Sequence, residues 1–256
     1  MDLNPWFRSL QWLDFQESGP SPAGEMQLPP HLPVVAPNEA LGRSQSPGLG
    51  VGREVKSRAM LRRPVLLLAS ASPRRQELLK NAGIPFTGQP AYIDETVQPG
   101  ETAESYVRRL AREKALTVAR RSKSGSLVLG ADTTIELGGK IVGKPETSED
   151  ATTILRSLSG TSHLVKTGVC LARAPDRVLA LEIETTTVVF QSLSDDEIRD
   201  YVATREPFDR AGAYAIQGLG SRFVRRIEGC YFNVCGLPVP LVYRLLRSAE
   251  GHGLPS

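Results

Sequence analysis

The residues best placed to do chemistry begin in the stretch LLLASASPRRQELL, residues 66–79. An apolar run stops at small residues. Ser72 and Pro73 then suit the N-cap and the first position of a helix. Arg74 and Arg75 fall in its first turn, where the free N–H groups already carry partial positive charge. Two arginines there are locally unfavourable unless an anion is bound. Guanidinium forks match phosphate oxygens two bonds at a time, so the stretch reads as a phosphate cradle. Taken alone it reads slightly better as an ordinary amphipathic helix, with solvated arginines and Leu78 and Leu79 in the core.

Carboxylates supply the second half of the chemistry. Asp132 follows an apolar strand, 126–130, and is expected at its C-terminal end, the edge where open α/β sheets bind ligands. There it can hold a metal or accept a proton from water, or simply cap a turn. Asp94 and Glu95 make a second acidic point, after a strand predicted over 86–93. With Asp132 they would complete a metal site for a phosphate substrate; otherwise they are a solvated loop. Lys144, before Pro145, is either a phosphate contact reached from a hairpin or a surface lysine. Gln217 closes an apolar strand predicted over 212–216. Its amide can read a base edge or satisfy backbone. Lys114 flanks the apolar stripe of the longest helix and is expected to point inward, while Tyr214 and Phe232 read as core. Jointly, cations and carboxylates at strand ends suit hydrolysis of a phosphoanhydride. The phosphates need cations, the water needs a base or metal, and the leaving pyrophosphate needs neutralisation.

The elements that must position these residues follow from the patterning. Residues 1–63 hold eight of the nineteen prolines and little periodicity, which predicts a disordered extension with a short apolar opening from Trp6 to Phe15. Met60 stands just before the first strand, and the extension is expected to be dispensable for the chemistry. From 64 to about 250 strands and helices alternate, which predicts one α/β domain with a mixed central sheet. Helices are expected over 73–81, 102–121, from Ser148 to Leu158, from Ser194 to near Ala203, and over 239–247. Long β-rich runs occupy 163–172 and 178–190, a further strand 222–227, and Gly138-Gly139 marks a hairpin.

Composition excludes several classes. Three cysteines and three histidines, none in zinc-finger spacing, argue against a structural zinc site or a histidine triad. Any metal would be held by carboxylates, which favours Mg²⁺ or Mn²⁺. The sparse, odd cysteine count and the lack of a secretory signal pattern predict a reducing, cytoplasmic setting. No run of 18 apolar residues occurs, so no spanning helix is expected. A net charge of +3 does not argue for nucleic acid.

The strings ASASPRRQELL, DET, AREKA, GADTTIELGGKIVGKP, LSG, FDRAGAYAIQG and GLP, in this order, closely resemble the Maf family of nucleoside triphosphate pyrophosphatases. The resemblance covers the chain from about Leu66 to Leu246. It implies a mixed α/β sheet in two lobes around a cleft, related to the inosine-triphosphatase-like fold, in a protein that is commonly a homodimer. It also implies hydrolysis of a nucleoside triphosphate to the monophosphate and pyrophosphate with a divalent metal, held here by Glu95 and Asp132. Asp132 matches the proton acceptor, and Ser72, Arg74 and Arg75 match the phosphate-binding signature. Glu95, Lys114 and Lys144 match further polar site positions, and Arg74, Thr133 and Gln217 fall where substrate choice is set. The subgroup with SPRR, GADT and IQG is associated with dTTP and UTP, and a uracil edge needs both the donor and the acceptor of the Gln217 amide. Cys230 and Cys235 depart from the family's usual residues. A phosphate contact is in question if Cys230 lines the cleft.

Two other classes compete. A nucleotide-binding regulator of cell division would need Arg74 and Arg75 but not Asp132 or Glu95. A nucleic-acid binder would use the basic helix 108–121, which also carries Glu113 and a conventional apolar stripe. All the polar positions being present favours the enzyme.

Overall fold

The structure, a computed structural model, describes residues 66–249. The extension over 1–63, with its apolar opening, lies outside the described residues. Strand β1 (Leu66–Leu68) is three leucines buried on both faces, as a parallel strand between neighbours must be. Helix α1 (Pro73–Asn81) opens on Ser72, whose hydroxyl accepts from the Arg75 N–H, and Pro73 fills the first position. Gly83, at φ 66°, ends it; this left-handed conformation costs glycine nothing. Strand β2 (Phe86–Gly88) is followed by α2 (Ala103–Arg120), which starts in a reciprocal Thr102–Ser105 capping box. Strand β3 (Leu127–Leu137) turns through Gly138-Gly139 into β4 (Lys140–Val142).

Helix α3 (Ser148–Leu158) comes next, then the long strands β5 (Ser162–Arg173) and β6 (Arg177–Phe190) and helix α4 (Asp195–Ala203), capped by Ser194 and Glu197. Two 3₁₀ turns (Ala211–Ala213 and Leu219–Phe223) lead to β7 (Val224–Glu228), α5 (Tyr231–Val234) and α6 (Val239–Ala249).

Seven strands form one mixed sheet in the order β2–β1–β3–β5–β6–β7, with β4 also on β3. Strand β1 is parallel to β2 and β3; every other pairing is antiparallel. The long strands run through two cores. At the β1 end, leucines of β1, α1 and α6 pack on one face, and Ala111, Ala115 and Val118 of α2 pack on the other. At the far end, Ile135, Val165 and Phe190 gather with Leu155 of α3 and Ile198 of α4. These are the two lobes.

The register of β3 explains where the cleft falls. One edge of β3 is paired with β5 from Leu127 to Glu136. The other edge is paired with β1 only over Leu127–Leu129 and with β4 only over Ile135–Leu137. Residues 130–134 therefore face a gap in the sheet. Asp132 is at the middle of an eleven-residue strand, not at a strand's end as the sequence suggested. The ladder that ends there is β1's, because β1 is only three residues long.

Other expectations need correction. The strand predicted over 86–93 stops at Gly88, because β1 offers no further partner, and Pro90 has no N–H to donate. The run 212–216 is not a strand: Gly212 and Ala213 adopt φ of 72° and 57°, which bend it into a 3₁₀ turn and leave Gln217 on a loop. Thr147, not Ser148, caps α3, with Asp150 completing the box. Residues 222–223 belong to the second 3₁₀ turn, so β7 starts at Val224. Tyr214 is core, but Phe232 is 42% exposed.

Candidate active site

Asp132 is buried at the sheet gap, and Lys114 reaches it from α2. The ammonium nitrogen lies 2.6 Å from Asp132 Oδ1 and 2.7 Å from Glu95 Oε1. Two glycines make this reach possible. A side chain on Gly130 would strike the Ala111 carbonyl and the Ala115 nitrogen, and one on Gly168 would strike the Val107 carbonyl. Gly168 is the cross-strand partner of Asp132. The α2 backbone thus rests directly on the sheet beside Asp132, and Lys114 points inward as its place in the helix predicted. Glu95 approaches from the loop after β2 and is half exposed. Its carbonyl accepts from Tyr106 Oη at 2.9 Å. Asp94 instead turns back on Thr96, accepting from its N–H at 2.9 Å; the Thr96 side chain first, and then this N–H, hold its carboxyl below the usual range. It shapes the loop and is not among the residues lining the cleft.

Burial pushes the Asp132 carboxyl above its ordinary pKa, against the opposing pull of Lys114 and Arg75. A carboxylate destabilised by desolvation is a stronger base than one in water. Tyr106 is pushed up to about 12 by its own burial and by the charges of Asp132 and Glu95.

The two arginines in the first turn of α1 differ in their contacts. Arg75 is buried, and burial lowers its pKa. It donates to the Gly236 carbonyl at 2.8 Å, to Ser70 Oγ at 3.3 Å and to Thr133 Oγ1 at 3.1 Å. It ties α1 to β3 and to the turn after α5 while keeping its positive charge beside Asp132. Thr133 also bonds Thr167 Oγ1 at 2.9 Å. Arg74, Lys144 and Arg210 have no hydrogen-bond or ion-pair partner for their side chains among the described residues, and all three line one cleft.

That cleft has a volume of about 1280 Å³, and Ser72, Arg74, Arg75, Glu95, Lys114, Asp132, Thr133, Lys144 and Gln217 all border it. These nine sequence-predicted residues are thus brought to one place, whereas Asp94, the other half of the acidic pair, is not. Cys235 also lines it, whereas Cys230 does not; it starts α5, where its N–H donates to Thr186 Oγ1. Sequence reasoning missed Tyr106, Glu206 and Arg210. Glu206 and Arg210 sit in the aperiodic loop after α4, where no spacing marks them.

The donor set also bears on a metal. Asp132 and Glu95 converge on the Lys114 ammonium, and their remaining oxygens are hard donors, the class that suits Mg²⁺ or Mn²⁺. Among the described residues no group of three or more His, Cys, Asp or Glu could hold an ion alone. A cation here would need oxygens from the ligand as well, as Mg²⁺ beside phosphates commonly does.

Fold and cleft together define an α/β protein in which Arg74, Lys144 and Arg210 line one cleft with a buried carboxylate–lysine pair. A family model described as Maf-like protein matches residues 65–249, and the chain belongs to that family. It is 52% identical to the dTTP/UTP pyrophosphatase of Anaeromyxobacter sp. (strain Fw109-5) over 193 residues, covering 74% of this chain and 91% of that one. It is 51% identical to the dTTP/UTP pyrophosphatase of Syntrophomonas wolfei subsp. wolfei over 179 residues, covering 70% and 94%. Among solved structures, the Staphylococcus aureus Ham1 protein matches with a TM-score of 0.35 at 16% identity, covering 51% of this chain and 72% of that one. That likeness is too remote to carry an argument.

Proposed function

We propose that this protein hydrolyses dTTP and UTP to the nucleoside monophosphate and pyrophosphate. The observation that supports it most is a buried carboxylate at a gap in the sheet, held by a lysine, in the same cleft as three cations that are unpaired among the described residues. Arg74, Lys144 and Arg210 bind the triphosphate, with Ser72 at the N-terminus of α1 and the charge of Arg75 behind it. Asp132 takes a proton from a water as the water oxygen bonds to the α-phosphorus. The bond from that phosphorus to the α–β bridging oxygen breaks, and pyrophosphate leaves with the bond's electron pair. Lys114 keeps the Asp132 carboxylate ionised and oriented until it acts. Asp132 and Glu95 would hold Mg²⁺ or Mn²⁺, which supplies charge neutralisation on the phosphates.

Gln217 selects the base. Its amide pairs a donor and an acceptor with the O4 and N3–H of uracil or thymine, where cytosine presents the opposite pattern. Clearing surplus or non-standard pyrimidine nucleotides before incorporation into nucleic acid is the corresponding role. We place the protein in the cytoplasm as a homodimer, with no stable nucleic-acid partner; no helix among the described residues is long and apolar enough to cross a membrane. A regulator that only bound nucleotide would have no use for a desolvated carboxylate, whose burial opposes its charge. The test is a nucleotide panel with Mg²⁺, measuring pyrophosphate and monophosphate. Equimolar release from UTP and dTTP is expected, and tight binding without turnover would favour the regulator.

A further inference from the structure

The loop that carries Gln217 is anchored on one side by Ile216, which packs against both cores, but its tip is open to solvent. Gln217 is exposed and Leu219 is 50% exposed, and the backbone here belongs to no strand. Besides the turn bonds from the Gly218 N–H to the Ala215 carbonyl and from the Ser221 N–H to the Gly218 carbonyl, it is held by one carboxylate and one hydroxyl. Glu206 Oε2 accepts from the Leu219 N–H at 3.0 Å, and Oε1 accepts from the Gly220 N–H at 3.0 Å. Tyr201, fully buried on α4, donates its hydroxyl to Glu206 Oε1 at 2.8 Å and accepts from the Ala215 N–H at 3.2 Å. The chain is thus gripped on both sides of Gln217. Two glycines fit this clasp. A side chain on Gly218 would strike the Glu206 carboxylate, and one on Gly220 would come within 2.7 Å of the Tyr201 hydroxyl. Burial raises the Glu206 pKa, but the Gly220 and Leu219 N–H groups and the Tyr201 hydroxyl outweigh it, so the carboxyl is held below its usual range. Glu206 itself borders the cleft.

We propose that Glu206, braced by Tyr201, is a positioning residue for base selection: it fixes the Gln217 loop so that the amide meets the pyrimidine edge in one orientation. This rests on the reading of Gln217 given above. A preorganised amide discriminates because the wrong base leaves its polar atoms unpaired; a mobile one can turn over and accept either base. Glu206→Gln is the sharpest change. It keeps the size but replaces one acceptor oxygen with an NH₂ group, so a donor faces a donor whichever way the amide lies.

The experiment measures kcat/KM for UTP and CTP in the wild type, E206Q, Y201F, Q217A and V118A. E206Q is expected to lower the UTP-to-CTP ratio about tenfold, the equivalent of one lost hydrogen bond. The change should fall chiefly on KM for UTP, with kcat within about threefold of wild type. Y201F, which removes the other half of the clasp, should move the ratio the same way, and it carries the test if E206Q fails to fold. V118A, which opens the α2 core that holds no residue of this loop, should lower stability and leave the ratio alone. A wild-type ratio in E206Q and Y201F, with the ratio lost in Q217A, would overturn the proposal and leave Gln217 as the selector. A wild-type ratio in Q217A would overturn the reading of Gln217 and the proposal with it.

Discussion

Replacing Lys114 with methionine tests the centre of the site. Methionine keeps most of the apolar stem on α2 and removes the ammonium. In the wild type that ammonium is 2.6 Å from Asp132 and 2.7 Å from Glu95, and the Lys114 and Asp132 side chains are only 8% and 9% exposed. The variant leaves Asp132 buried and ionised with Arg75 as its remaining compensation. Breaking a buried pair by removing one partner costs about 3–5 kcal/mol. Arg75 and the open cleft place this case near the lower end, about 3 kcal/mol. For a domain of this size that is a fall in Tm of roughly 6–12 °C.

The assay is denaturant unfolding at neutral and mildly acid pH. The Asp132 carboxyl already has a raised pKa, and losing Lys114 raises it further. As pH falls the folded variant takes up a proton there before the unfolded chain does. The K114M deficit should therefore shrink toward acid pH. The double variant K114M/D132N, which buries no lone charge, should be more stable than K114M alone at neutral pH. A K114M protein of wild-type stability, or a double variant no better than the single, would refute the view that this pair is buried and coupled.

Gly168→Ala would drive α2 away from the sheet at Val107, costing about 1–3 kcal/mol by overpacking. Lys114 would move with the helix, so kcat/KM should fall by about 10²-fold; near-normal activity would refute the link between close packing and the site. The acid limb of the kcat/KM profile should lie above the ordinary carboxylate value of 3.8, because the proposed base Asp132 acts only when ionised and its pKa is raised by burial. A limb at or below that value would exclude Asp132 as the base. His163 is buried against Tyr214 and Phe190, and burial lowers its pKa from 6.5 to about 4. A base with a depressed folded pKa contributes stability above its unfolded value that is lost as pH falls from 6.5 toward 4. The loss is worth about 3 kcal/mol, and H163Q should flatten that part of the Tm-against-pH curve.

What was legible in the sequence was local. Ser72 and Pro73 announce α1, the Ala and Val spacing announces α2 and its inward Lys114, and Gly138-Gly139 announces the hairpin. Each depends on residues within a few positions of one another. The setting of Asp132 was legible only in part, because the gap beside it comes from which strands pair with β3 and for how far. Residues 212–216 read as a strand from their apolar character, but Gly212 and Ala213 take positive φ, and only the surrounding fold compels that of an alanine. Phe232 read as core from its type alone. Glu206 was invisible because its partners lie up to fourteen residues away across a loop with no period. Arg75 was legible as a cation but not as a tie, since its acceptors Thr133 and Gly236 are distant in the chain.

Proton transfer from water to Asp132, in a cleft that holds a pyrimidine nucleoside triphosphate, is the step we propose. Its most direct test is product analysis with UTP and Mg²⁺ for the wild type and Asp132→Asn, with folding of both verified by thermal unfolding. The wild type should release UMP and pyrophosphate in equal amounts, and the folded variant should be slower by about 10²-fold or more. A folded Asp132→Asn protein that turns over UTP at the wild-type rate would contradict the account, as would release of orthophosphate and UDP in place of pyrophosphate.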